Sequence, residues 1–193
     1  MAVGRDPIAL LARALGQVGA ILSRVRPEQA SLPTPCSPWD VRALVDHVIQ
    51  DVQRFTVVTS GRASEQHDRG VIGDDWDAAY RQAARSLLAA WLREDELEQR
   101  VQLPFGEFPV SWRLGQQIAY LAMHSWDIAK STGQSTDLDP EVGELALEWA
   151  RENLKAQFRD EGGSGCAFSA EVLADNDASL YDRLAGFMGR NPK

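Results

Sequence analysis

SWRLGQQIAYLAMHSWDIAKSTG, residues 111–133, contains no proline and closes on a glycine. Leu114, Ile118, Leu121 and Ile128 recur along it at helical intervals, which predicts a helix opened by Ser111, reaching Thr132 and stopped by Gly133. A second row, Arg113, Gln117, Tyr120, His124 and Asp127, follows the same period immediately beside the apolar one. Polar groups ranked along the border of a core lose water without compensation unless they meet partners or a cavity. A cavity is therefore expected beside this helix.

Outward from that segment the chain reads as more helices. Pro7 at a first turn, followed by Ile8, Leu11, Leu15, Val18 and Leu22, predicts a helix over about residues 7–26, ended by Pro27. SLPTPCSP, residues 31–38, is a loop in which Ser37 can cap and Pro38 can open a second helix running from about Trp39 to Ser60. Gly61 to Asp74 is polar, rich in glycine and aperiodic, and reads as a mobile loop before a third helix, capped by Asp74 or Asp75 and reaching about Arg93. Val101 to Val110, with Pro104 and Pro109 limiting ladder hydrogen bonds, is a connector that forms at most a small edge hairpin. Asp139 and Pro140 open a fifth helix to about Arg159. After Gly162, Gly163 and Gly165, the stretch from Ala167 to Leu173 reads as extended and Asp177 caps a short last helix to about Met188. Long amphipathic helices with almost no strand predict an all-α, up-and-down four-helix bundle with short additions, in one domain over residues 1–193.

Composition narrows the function. A formal net charge of −8, with no cluster of Lys or Arg, repels a phosphate backbone and argues against nucleic acid as a partner. Arg5, Asp6 and Arg13 interrupt the apolar N-terminal residues, so neither a signal peptide nor a membrane anchor is expected and a cytoplasmic protein is. Cys36 and Cys166 lie far apart in sequence, which fits a reducing compartment and no disulfide framework. An apolar helix face left over from the core would serve either a homodimer or the last helix.

On the second helix Leu44, His47, Val48, Asp51, Val52 and Phe55 share one face, which sets His47 on or beside the core-facing stripe. If the second and fourth helices adjoin, His47 and His124 approach each other with Tyr120, Asp51 or Asp127 nearby. Bundle interiors are where metal sites are built from facing helices, yet two histidines hydrogen-bonded in a core give the same pattern. His67 falls in the polar loop and reads as a solvated side chain. Cys36, before a helix start, gains a lowered thiol pKa if the helix dipole reaches it, although its place among prolines favours packing. Trp39 and Trp126 read as packing anchors, and Arg113 as either a rim group for a carboxylate or an exposed ion pair.

Three runs, TPCSPWDVRALVDHVIQ (34–50), MHSWDIAKSTGQ (123–134) and DRLAGFMGRNP (182–192), resemble the metal-binding domain of mycothiol-dependent maleylpyruvate isomerase and its relatives in the DinB-like superfamily. The resemblance implies a DinB-type four-helix bundle. It also implies a divalent metal, zinc or nickel, held by a His on the second helix, matched by His47, and by a Glu-x-x-x-His pair, whose His is matched by His124. The Glu position holds Tyr120, a neutral phenol and a poor ligand for such an ion. Asp51, Gln117 or Asp127 would have to complete the pocket. In metal-bearing relatives the ion would hold a small thiol such as mycothiol as thiolate for addition to an electrophile. The chain is too short for the further C-terminal domain that some relatives carry.

Two functions follow. The first is a thiol-dependent transferase or isomerase acting on a small electrophile, with His47 and His124 as metal ligands and Tyr120 as proton donor. The second is a metal-free bundle that binds a small ligand and does no thiol chemistry.

Overall fold

The computed structural model describes residues 6–60, 72–73, 75–94, 97–103, 106–155, 159–160, 168–175 and 177–193. Its elements are α1 (Pro7–Leu22), α2 (Val41–Thr59), α3 (Trp76–Trp91), β1 (Arg100–Leu103), β2 (Gly106–Pro109), α4 (Val110–Thr132), α5 (Pro140–Asn153), β3 (Arg159–Asp160), β4 (Phe168–Ser169) and α6 (Leu180–Phe187). The protein is all-α in the sense the periodicity predicts. Among the described residues strand is confined to the antiparallel β1–β2 hairpin and the short parallel β3–β4 pair. None of the described helices is long and apolar enough to cross a membrane.

Helix boundaries follow local chemistry, and several differ from the sequence reading. α1 stops at Leu22 rather than near residue 26, because Arg24 and Val25 tighten into bonds on Ile21 and Leu22 and Arg26 is extended before Pro27. Pro27 then opens a 3-10 turn over Pro27–Gln29. At α2 the cap is Asp40, whose carboxylate accepts from the Ala43 amide at 2.8 Å, and not Ser37. The Ser37–Pro38 peptide is cis, and the loop folds back so that Thr34 bonds the Trp39 carbonyl through both its amide and its hydroxyl. Asp75 caps α3, one of the two aspartates expected there. Gly133 ends α4 in the left-handed region at φ 69°, where a Cβ would be strained. α5 ends at Asn153, short of Arg159, because the Asn153 side chain folds back to donate its Nδ2 to the Trp149 carbonyl and Leu154 turns extended into the core. The cap of α6 is Ser179 rather than Asp177, with its hydroxyl accepting from the Asp182 amide. The polar loop from Gly61 to Asp74, apart from residues 72–73, lies outside the described residues, as do His67, Cys166 and the glycine cluster 162–165.

Packed pairs make a ring, α1 against α3, α3 against α2, α2 against α4 and α4 against α1. α5 and α6 then close over α4 from outside that ring. As a result every residue from Leu121 to Ala129 is buried, and α4 runs through the interior instead of showing one face to water. Burying a continuous helix in this way forces its polar side chains to find partners inside the protein.

Candidate functional site

His47, on α2, and His124, on α4, meet edge-on, with ring centroids 5.6 Å apart and planes at 84°. Helices α2 and α4 adjoin, so the condition on which the sequence argument rested is met. Tyr120 sits one turn before His124, its ring 4.4 Å from that imidazole and 5.8 Å from His47. Trp39, fixed by the folded-back loop before α2, covers His47 at 4.3 Å, and Phe55 closes the other side of Tyr120 at 5.2 Å. Trp39 is thus a wall of the site, whereas Trp126 is the core anchor expected, fully buried and bonded to Asp182.

Each imidazole is backed by a carboxylate one turn along its own helix. His47 Nε2 lies 3.5 Å from Asp51, whose other oxygen is 3.2 Å from Arg54. His124 Nδ1 lies 3.1 Å from Asp127, which is sealed from solvent. Arg190, from the segment after α6, reaches the same carboxylate with two nitrogens, at 3.1 and 3.4 Å, and also bonds the Met188 carbonyl. Burial alone would raise the Asp127 pKa, but the bond from His124 and the charge and hydrogen bonds of Arg190 outweigh it and hold the carboxyl below its usual range. An ionised Asp127 only accepts, so His124 presents Nδ1–H to it, and in the neutral imidazole the lone pair is then on Nε2.

Tyr120 as a whole is half-buried, while its hydroxyl is buried without a hydrogen-bond partner among the described residues. Burial first, and then the nearby Asp51 charge, push its pKa well above that of a free phenol. Asp51 is close enough to act electrostatically, yet the pair does not meet the geometry of a hydrogen bond. Tyr120 is therefore a neutral donor. Cys36 lies 3.7 Å from Arg190 through its sulfur, and burial raises its thiol pKa against the opposing pull of that arginine. The packed role favoured by its place among prolines agrees with this burial, and α2 begins only at Val41, too far along the chain for its dipole to lower the thiol pKa.

The remaining predicted residues fall outside this cluster. Gln117 is buried but committed elsewhere, accepting from the Trp91 indole at 2.7 Å. Arg113 is half-buried and makes no hydrogen bond or ion pair among the described residues. Arg190 was absent from the candidate residues. Its one local signal is Gly189, at φ 83° and with no room for a Cβ beside Ser169, which turns the chain back toward α4.

The donor set does not fit a divalent ion. Among the described residues no group of three His, Cys, Asp or Glu side chains converges. Both carboxylates beside the imidazoles are already paired with arginines, and a neutral phenol stands where a charged ligand would be needed. What the geometry offers is two buried or half-buried imidazole–carboxylate pairs facing a phenol donor.

These features define a helical-bundle protein with an interior polar site shared by two helices and closed by its C-terminal segment. The family model described as mycothiol maleylpyruvate isomerase N-terminal domain matches residues 11–129, more than half of the chain, and the chain belongs to that family. Two uncharacterized proteins of Mycobacterium tuberculosis, from strains CDC 1551 and H37Rv, are each 33% identical to it over 186 residues. Those alignments cover 96% of this chain and 98% of each relative.

Proposed function

We propose that the protein is a low-molecular-weight-thiol dependent transferase or isomerase acting on a small electrophile, and that it works by imidazole and phenol chemistry instead of through a bound metal. The observation that carries this reading is the buried, unpartnered Tyr120 hydroxyl beside two imidazoles that meet at 5.6 Å. The family name supports a thiol of the mycothiol type as co-substrate.

In this reading His124, held by Asp127 in the tautomer with Nε2 unprotonated, accepts the thiol proton as a general base. The sulfur electron pair then forms the bond to an electrophilic carbon. Charge displaced onto the substrate oxygen is met by the Tyr120 hydroxyl, which gains the acceptor it lacks in the free protein. Return of the proton from His124 to the substrate carbon completes a transfer. Expulsion of the thiolate after rotation about the former double bond completes an isomerisation, and the thiolate recovers its proton from His124. Trp39 and Phe55 supply the apolar walls that keep water from the electrophile.

The test is turnover of mycothiol with a cis-configured activated diacid, before and after exhaustive chelation. Activity that survives chelation and falls at least a hundredfold in His124→Ala supports the reading. Stoichiometric zinc or nickel that disappears in His47→Ala, together with activity abolished by chelation, would establish the metal-assisted route. Saturable binding of small aromatic ligands without thiol consumption would establish the metal-free binding protein, a reading favoured by the aromatic lining and by the raised thiol pKa of Cys36.

A further inference from the structure

A cavity of about 210 Å³ opens between the first turns of α4 and the second half of α5, away from the histidines. Gly115, on its wall, precedes His124 by nine residues, which at 1.5 Å per residue separates the two by roughly 14 Å along α4. Its lining is mostly apolar and is dominated by Trp112 and Trp149, with Pro7 and Pro109 beside them and Glu148 and Glu152 contributing the charge.

The two indoles are not stacked. Their centroids are 5.3 Å apart and their planes lie at 56°, so they form a V. Both are fixed. The Trp112 N–H donates to the Asn153 side chain at 2.6 Å, and Phe108 backs its ring at 4.7 Å. Trp149 rests on the bare backbone of Gly115, where an added Cβ would lie 2.5 Å from the indole. In that position its N–H is shut away from solvent with no partner among the described residues, and the side chain lines the cavity. Glu148 and Glu152 lie one helical turn apart, both exposed, and neither makes an ion pair among the described residues. Two like charges at that spacing repel mildly, and a cation between them removes the repulsion.

Indole faces attract cations through their quadrupole, and unpaired carboxylates at the same opening add a second attraction of the same sign. An anion is disfavoured by both. We propose that this cavity is a binding site for a small organic cation, a quaternary or primary ammonium compound not much larger than benzene, separate from the histidine site. The size follows from the volume, because a cavity of about 150 Å³ accepts benzene.

Choline is the probe, and its neutral carbon isostere, with the quaternary nitrogen replaced by carbon, is the control. Indole N–H resonances of nitrogen-15-labelled protein are followed during titration, and the Trp149 resonance is assigned by its loss in Trp149→Phe. Expected is a saturable shift of Trp149 by choline, at least tenfold weaker binding of the isostere, and about tenfold weakening in the Glu148→Gln, Glu152→Gln double variant. Both glutamates are exposed, so that variant keeps the fold. Equal binding of choline and isostere, or no shift of Trp149 at high choline concentration, overturns the proposal.

Discussion

Histidine, aspartate and arginine occur together twice in this protein, and the two sets are built in opposite ways. His47, Asp51 and Arg54 lie along one face of α2 within two turns, and their side chains are 31%, 15% and 59% exposed. His124 and Asp127 lie on α4, but their arginine, Arg190, arrives 63 residues later from beyond α6, and the three are 8%, 0% and 10% exposed. The first set is local and wet, the second long-range and dry. Water screens the first arginine and replaces it at little cost. Nothing replaces the second, since an ionised carboxylate sealed in a core costs several kcal/mol unless it is paired.

The comparison breaks most readily at Arg190. Arg190→Met is expected to cost about 3–5 kcal/mol in urea unfolding, because Asp127 is left buried without its counter-charge. Adding Asp127→Leu should restore much of that loss, and failure to restore it would mean that the pair is not the source.

The acid limb of the stability curve gives the next effect. A carboxyl whose folded pKa is depressed contributes stability in full above its ordinary value, 3.8 for aspartate, and loses it as pH falls through the folded value. Stability should therefore decline below about pH 4, and Asp127→Asn should flatten this part of the decline in acid-titrated denaturation.

Tyr120→Phe separates fold from chemistry. Removing a buried hydroxyl that has no partner should leave stability unchanged or raise it by about 1 kcal/mol. The same change should lower thiol-dependent turnover by about 10²–10³-fold if the hydroxyl stabilises developing negative charge. The smallest effect belongs to Arg54→Ala, expected to cost less than about 1 kcal/mol since its pair is open to solvent and screened by salt. A cost as large as that of Arg190→Met would erase the distinction between the two sets.

Legibility in the sequence followed the same division. The length of α4 and its stop at Gly133 were readable because helical period and a left-handed glycine are properties of neighbouring residues. The approach of His47 to His124 needed only that α2 and α4 adjoin. The start of α2 was misplaced because Ser37 and Asp40 are both competent caps, and only the folded-back loop selects the second. α5 was overextended because Leu154 continues an apolar pattern from which the backbone has already departed. Burial of α4 on every side from Leu121 to Ala129 was hidden, since its amphipathic pattern shows what it offers to the bundle and not that α5 and α6 cover the rest. Arg190 was missed for the strongest reason, that a contact across 63 residues has no local period.

The long reach of Arg190 also orders events in time. Until the residues beyond α6 have been synthesised, any collapse of α1 to α4 leaves the acidic group at the centre of α4 without Arg190 to neutralise it. A nascent bundle in that state either keeps α4 loosely docked and hydrated or holds Asp127 protonated. Cutting the covalent link between α4 and Arg190 is expected to recreate that condition in the folded protein, so the segment after α6 acts as a latch on α4.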